Sequence, residues 1–291
     1  MMRIQTFSIV AHCPQEEAWG VAVASKFPAV GAVVPWARAG VGAVATQSYA
    51  KIGYAHDGLA LMSDGLSAAE ALSQLLEADD GRETRQVALV DAQGAAAAYT
   101  GSECNDWAGH LTGEGFSVQG NLLAGEAVIE AMAAGYLRAE GELADRLVAA
   151  LRAGENASGD KRGKQSAAVV VVRPNGGYGG DNDRYLDLRV DDAEAPVADL
   201  MALARLHHLY FQPPRAEDQI KIDEDIAREL QAIMIKQGYM TGQVNGVWDE
   251  VCLQVFRMLI GNENLEMRWT PEKNRQSIDR VALEYLRQRF G

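Results

Sequence analysis

The chain has 291 residues, 48% hydrophobic and 23% charged, the make-up of a globular protein with one large or two unequal domains. Its 27 Lys and Arg against 40 Asp and Glu leave a net charge of −13, which argues against nucleic acid or an anionic membrane as partner, since both call for a basic footprint. The longest purely apolar run, 167–172, falls far short of the roughly 20 residues of a membrane span. The start of the chain turns polar at Gln5, Thr6 and Ser8, and Cys13, Cys104 and Cys252 form no C-x-x-C pair; both point to a cytoplasmic protein without a disulfide framework.

Period-two alternation dominates the first 200 residues. It predicts strands at 6–13 and 20–26 joined by a polar turn at 14–17, then at 41–46, 85–91 and 95–100, the last two meeting across Ala92-Gln93-Gly94. A short strand follows at 116–119. The wholly apolar 166–173 reads as a strand at the centre of a sheet covered on both faces, and 185–190 alternates again. Helices are predicted after the capping box Ser67-Ala68-Ala69-Glu70, at 126–140 and 141–153, and at 197–210. Two consecutive helices between strands rule out simple βαβ alternation and indicate α+β layering.

Gln212-Pro213-Pro214-Arg215 then breaks the pattern and reads as a linker. Beyond it, helical spacing at 222–237, 247–260 and 277–290, punctuated by Gly238, Gly242 and Asn245-Gly246, predicts a small three-helix domain. The expected division is 1–211 and 217–291.

Several phrases of the first domain carry a resemblance: Thr6-Phe7-Ser8-Ile9-Val10-Ala11, Gly20-Val21-Ala22-Val23-Ala24-Ser25-Lys26-Phe27, Val34-Pro35-Trp36-Ala37-Arg38-Ala39-Gly40, Gly42-Ala43-Val44-Ala45-Thr46-Gln47, Gly115-Phe116-Ser117-Val118-Gln119-Gly120-Asn121 and Asp160-Lys161-Arg162-Gly163. With these, residues 6–210 resemble the bacterial DUF1028 family of the N-terminal-nucleophile hydrolase superfamily. The tail, through 238–248, resembles the peptidoglycan-binding-like module often fused to it. The resemblance implies a four-layer αββα sandwich followed by the small helical domain, and a hydrolase acting on a small amide or peptide-like substrate. With no export signal, the tail is expected to bind its own first domain or a neighbouring subunit rather than peptidoglycan, in a homo-oligomer.

Such a hydrolase uses a Thr, Ser or Cys at the start of a strand, whose freed α-amine is the general base. The resemblance makes Thr6 the nucleophile, once Met1–Gln5 are removed, with Ser8 in reserve. Lys26 falls where proteasome-type members carry a carboxylate, and Arg38 where they carry a lysine. Thr46 and Gln47 sit where an oxyanion N–H is supplied, Asn121 is a second such donor, and Asp160 would hold the amine. The rival reading is a silent binding or assembly protein whose Lys26 and Arg38 hold an anionic ligand. No cofactor or metal is expected: His12, His56 and His110 lack ligand spacing, and adjacent His207 and His208 diverge on a helix. The acidic run around Asp181 and Asp183 lacks EF-hand spacing, and the glycines at 176–180 read as a turn.

Overall fold

The computed structural model describes residues 6–291; Met1–Gln5, whose removal the resemblance requires, lie outside the described residues. The chain forms two compact units, 1–204 and 205–291.

The first unit contains two antiparallel sheets. One has six strands: β1 (Thr6–Cys13), β2 (Ala18–Ser25), β7 (Gly109–Gly113), β8 (Phe116–Gly120), β9 (Ser166–Val172) and β10 (Arg184–Val190), in the order β10-β9-β2-β1-β8-β7. The other has four, β3 (Pro35–Arg38), β4 (Gly42–Ser48), β5 (Arg85–Asp91) and β6 (Ala96–Thr100), in chain order. The side-chain pleat sorts the core into three layers. Val10, Val21, Val23, Ala45, Ala88, Val90, Ala168 and Val170 fill the space between the sheets. Phe7, Ile9, Phe116, Val118 and Val169 point the other way, onto α3 (Ala127–Arg138) and α4 (Leu143–Asn156), where they meet Met132, Leu147 and Leu151. Val44, Val87 and Leu89 pack on α1 (Gly53–Ser63) and α2 (Ala68–Glu77), against Tyr54, Met62, Leu72 and Leu75. The layers therefore run helix, sheet, sheet, helix: the αββα sandwich. The Ser67–Glu70 capping box is formed, its two reciprocal bonds starting α2.

Three elements of this unit lack a strong sequence signal. β3 has four residues and β7 five, and most of both are incompletely buried. Helix α1 turns Tyr54, Ala55, Gly58 and Met62 inward, a face made partly of small residues that blurs the 3.6-residue pattern. The apolar β9 is buried along its whole length but lies one strand in from the edge rather than at the centre; β1 and β2 hold the middle.

In the second unit α6 (Glu224–Lys236), α7 (Glu250–Asn262) and α8 (Arg280–Phe290) each begin at an aspartate, Asp223, Asp249 and Asp279, which accepts a backbone N–H of the first turn. Leu230, Met234, Phe256, Leu259, Trp269 and Leu286 form its core. A small two-stranded antiparallel sheet, β11 (Gln219–Lys221) on β12 (Ser277–Asp279), joins its ends and was not legible as alternation because each strand has only three residues. Helix α5 (Pro196–Phe211) contributes its last residues, Leu209 among them, to this second core. Gln212–Arg215 has no helix or strand, and Arg215 is exposed. Trypsin should therefore cut first after Arg215, leaving a resistant fragment that mass spectrometry reads as 1–215 or 6–215. An earlier cut within 100–180 would contradict the boundary expected from sequence.

Candidate functional site

Position along the strands sets the chemistry between the sheets. Toward one end the interlayer is mostly valine and alanine, closed by Trp19 with His12 stacked on it. At the other, the same faces carry Thr6 and Ser8 on β1, Ser25 on β2, Ser166 on β9, Ser117 and Gln119 on β8, Gln47 on β4 and Gln86 on β5, all buried. Register brings these ends together: Thr6 pairs with Ser25, Ser25 with Ser166, Ser8 with Gln119, and Gln47 with Gln86. Asn121, just past β8, exchanges backbone bonds with Thr6: its N–H donates to the Thr6 carbonyl at 3.0 Å, and the Thr6 N–H donates to its carbonyl at 3.3 Å.

Buried amides and hydroxyls are tolerated only when bonded, and here they bond one another. Gln86 is the anchor. Its Nε2 directs two hydrogens among three acceptors, the carbonyls of Gly120 at 2.8 Å and Gly109 at 3.1 Å and Thr100 Oγ1 at 2.9 Å. Carbonyls only accept, so the amide orientation of Gln86 is fixed and its Oε1 must receive donors. It receives two, Gln47 Nε2 at 2.8 Å and Asn121 Nδ2 at 3.0 Å. Gln47 Nε2 also reaches the Thr6 carbonyl at 3.4 Å, while its Oε1 accepts the Ser8 hydroxyl at 2.7 Å. Ser8 in turn accepts from Gln119 Nε2 at 2.7 Å. Thr6 Oγ1 donates to Ser25 Oγ at 3.1 Å. One polar atom of this cluster stays orphaned: Asn121 Oδ1, fully buried and without a partner.

The eight residues expected from the resemblance divide. Thr6, Ser8, Gln47 and Asn121 come together in this cluster. Thr46 does not: its side chain points to the opposite face, Oγ1 accepting the Lys51 N–H at 3.3 Å, and its backbone N–H is taken by the Val34 carbonyl at 3.3 Å. Arg38 is also elsewhere. β3 pairs with β4 so that Arg38 faces Gly42, about 14 Å along the strand from Thr46 at 3.4 Å per residue, and it is Val34 that reaches the Thr46 end. Asp160 lies close by, but both its oxygens are committed: Oδ1 to the N–H and Nε of Arg162, Oδ2 to Arg162 Nη2 at 2.7 Å and the Lys26 N–H at 3.1 Å. Lys26 itself is exposed, its Nζ donating to the Lys164 carbonyl. Lys26 and Arg38 are thus at different places and form no common anion site.

Residues the sequence reading passed over are Ser25, Gln86, Gln119, Ser117 and Ser166. Their signal was an i, i+2 alternation that switches from Val or Ala to Ser or Gln at one strand end, as in Gln86-x-Ala88-x-Val90 and Ser166-x-Ala168-x-Val170. At the margin of the cluster, Thr100 Oγ1 meets His110 Nδ1 at 2.9 Å, and burial holds that imidazole below its ordinary pKa. A cavity of about 100 Å³ lies against Ser25, Ser166 and Asp160, floored by Phe7 and Ala24. An open cleft of about 540 Å³ lies at Arg38 and Arg184. Among the described residues no group of His, Cys, Asp or Glu could hold a metal, and no helix is long and apolar enough to cross a membrane.

The architecture is thus an αββα sandwich with a buried, uncharged hydroxyl–amide cluster at one end of its interlayer. Residues 6–200 match the model described as "Family of unknown function (DUF1028)", and the chain belongs to that family. Residues 210–286 match the model described as "Putative peptidoglycan binding domain". Among solved structures, protein SPO2555 from Silicibacter pomeroyi, a DUF1028 protein, is 31% identical with a TM-score of 0.65, covering 74% of this chain and 97% of its own. Anbu, an ancestral beta-subunit from Yersinia bercovieri, aligns at 12% identity and a TM-score of 0.33, covering 72% of this chain and 99% of its own. No curated protein matches the chain significantly.

Proposed function

We propose that the first unit is an amidohydrolase of the N-terminal-nucleophile type, with Thr6 as a latent nucleophile. The observation that carries this reading is the position of Thr6: it opens a central strand whose face lies between the sheets, its hydroxyl bonds a neutral partner, Ser25 Oγ, and its nitrogen bonds the backbone of Asn121, whose side-chain Oδ1 is buried and unfilled. Hydrolysis of the Gln5–Thr6 peptide bond by water frees an amine there. The amine takes the Oγ1 proton as Oγ1 attacks an amide carbonyl. The proton then passes to the departing nitrogen, and water cleaves the resulting ester.

For this the amine must be neutral near physiological pH. The side chains bonded to Thr6, Ser25 and Gln47, are uncharged, and the nearby Asp160 carboxylate is paired with Arg162, so burial is the influence that lowers the amine's pKa from the usual value of about 8. Lys26 and Arg38 are not needed for this. For the oxyanion, Gln47 Nε2 is the donor cheapest to recruit, because its 3.4 Å contact to the Thr6 carbonyl is the longest in the cluster.

A second reading is favoured by a specific observation. The N–H groups of Thr46 and Asn121 are both in use, so a silent protein that keeps the fold would look the same. An anionic ligand would then sit at the Arg38–Arg184 cleft. The intact mass of purified protein separates the readings: a chain starting at Thr6 that hydrolyses members of a small-amide panel supports the hydrolase. An unprocessed chain inert on that panel leaves the silent protein.

A further inference from the structure

Asn121 Oδ1 is an acceptor held open by design of the network. The carbonyls of Gly109 and Gly120 fix Gln86, Gln86 Oε1 demands donors, and Asn121 must therefore turn its Nδ2 toward Gln86. It cannot flip without setting two acceptor oxygens against each other. Its Oδ1 is left facing no donor, although fully buried. An empty buried acceptor is costly, so its retention calls for a donor that arrives.

Processing would give new donors to one neighbour of Asn121, the nitrogen of Thr6. Thr6 and Asn121 are cross-strand neighbours through their two backbone bonds, and both side chains lie on the interlayer face. In the peptide, that nitrogen has one hydrogen, given to the Asn121 carbonyl. As a neutral amine it has two hydrogens and a lone pair. We infer that Asn121 is the positioning residue of the freed amine, its carbonyl and its Oδ1 each accepting one N–H, which turns the lone pair toward Thr6 Oγ1. This rests on the hydrolase reading above, and it exchanges two roles: Asn121 takes the amine-holding part expected of Asp160 and is not an oxyanion donor. Asp160, saturated by Arg162 and the Lys26 N–H, ties two loops together. The other charged groups near this end are also committed: Arg162 to Asp160, Lys164 to Glu155 at 3.1 Å, and the Lys26 ammonium to the Lys164 carbonyl.

The test uses the full chain from Thr6 onward, obtained by self-processing or, if the wild type stays intact, by cleavage at a protease site placed before Thr6. With ¹⁵N-threonine, the amine of Thr6 is titrated by NMR in the wild type and in Asn121→Asp. A carboxylate at bonding distance should raise its pKa by about one unit or more; a change below about 0.3 units in a folded variant overturns the inference. Should the variant not fold, a crystal structure of the Thr6-terminal wild type decides. Oδ1 within about 3.2 Å of the nitrogen supports the inference, and a separation beyond about 4 Å overturns it. The two proposals fail separately. An inert, unprocessed wild type whose engineered amine still bonds Oδ1 sinks only the hydrolase. A processed, active chain with Oδ1 remote from the amine sinks only the role of Asn121.

Discussion

Replacing Thr6 by alanine is expected to leave Met1–Gln5 attached and to reduce amide hydrolysis by about a thousandfold or more, as losses of a nucleophile do. The variant should fold. Among the described residues Thr6 Oγ1 bonds Ser25 Oγ, so the change removes a single neutral bond and a methyl group, at a cost of about 1–2 kcal/mol. Thr6→Ser keeps a hydroxyl on the same carbon and should retain processing and part of the turnover, losing only the branching that limits χ1. Ser8→Ala is the informative contrast. Ser8 Oγ–H is spent on Gln47 Oε1 and its oxygen accepts from Gln119, so it has no base and no free proton-transfer partner. Its removal should lower stability by about 1–3 kcal/mol, since two amides lose a partner, while turnover per folded molecule changes far less than in Thr6→Ala. Intact mass and single-turnover kinetics read both effects. If Thr6→Ala is processed or active as the wild type is, the nucleophile lies elsewhere.

The split between what the chain displayed and what it hid has a physical origin. Alternation is local, so β1, β5, β8 and β9 were readable to within about a residue, and the Ser67–Glu70 capping box placed the start of α2. Thr6, Ser8, Gln47 and Asn121 were reached through the family resemblance, and register does bring them together. Register is also where the reading of residues failed, because it is set by pairing partners distant in the chain. The offset of β3 on β4 carries Arg38 to the far end of the sheet, which spacing from Gly42 could not reveal. Gln86 escaped for another reason. A glutamine on an apolar strand reads as a surface residue until its carbonyl partners Gly109 and Gly120, 23 and 34 residues onward, are known. The pairing of β11 with β12 joins segments 58 residues apart at Ser277 and Gln219, again beyond any local pattern.

The second unit has its own keystone, and Arg268→Leu should unfold it at markedly lower denaturant. Arg268 is buried, with Nε on the Leu209 carbonyl at 2.9 Å, Nη2 on the His208 carbonyl at 2.5 Å and Nη1 on Asp279 Oδ2 at 3.2 Å. It therefore satisfies the last turn of α5 and balances the carboxylate that starts α8. Removing one member of a buried pair costs about 3–5 kcal/mol, because the other charge remains without compensation. Burial raises the pKa of Asp279, outweighing the opposing pull of Arg268 and the Ala282 N–H. The folded state thus binds a proton more readily than the unfolded one. Stability from this group is highest in acid and is lost as pH rises from about 4 through the folded pKa. Without Arg268 the folded pKa climbs further, so the penalty of Arg268→Leu should be smaller at about pH 4.5 than at about pH 7.5. Adding Asp279→Asn keeps the helix cap and deletes the stranded charge; it should recover part of the loss at the higher pH and little at the lower. Urea unfolding at the two pH values measures all three comparisons. A penalty independent of pH, with no recovery in the double variant, would mean that Arg268 matters only for the two carbonyls of α5.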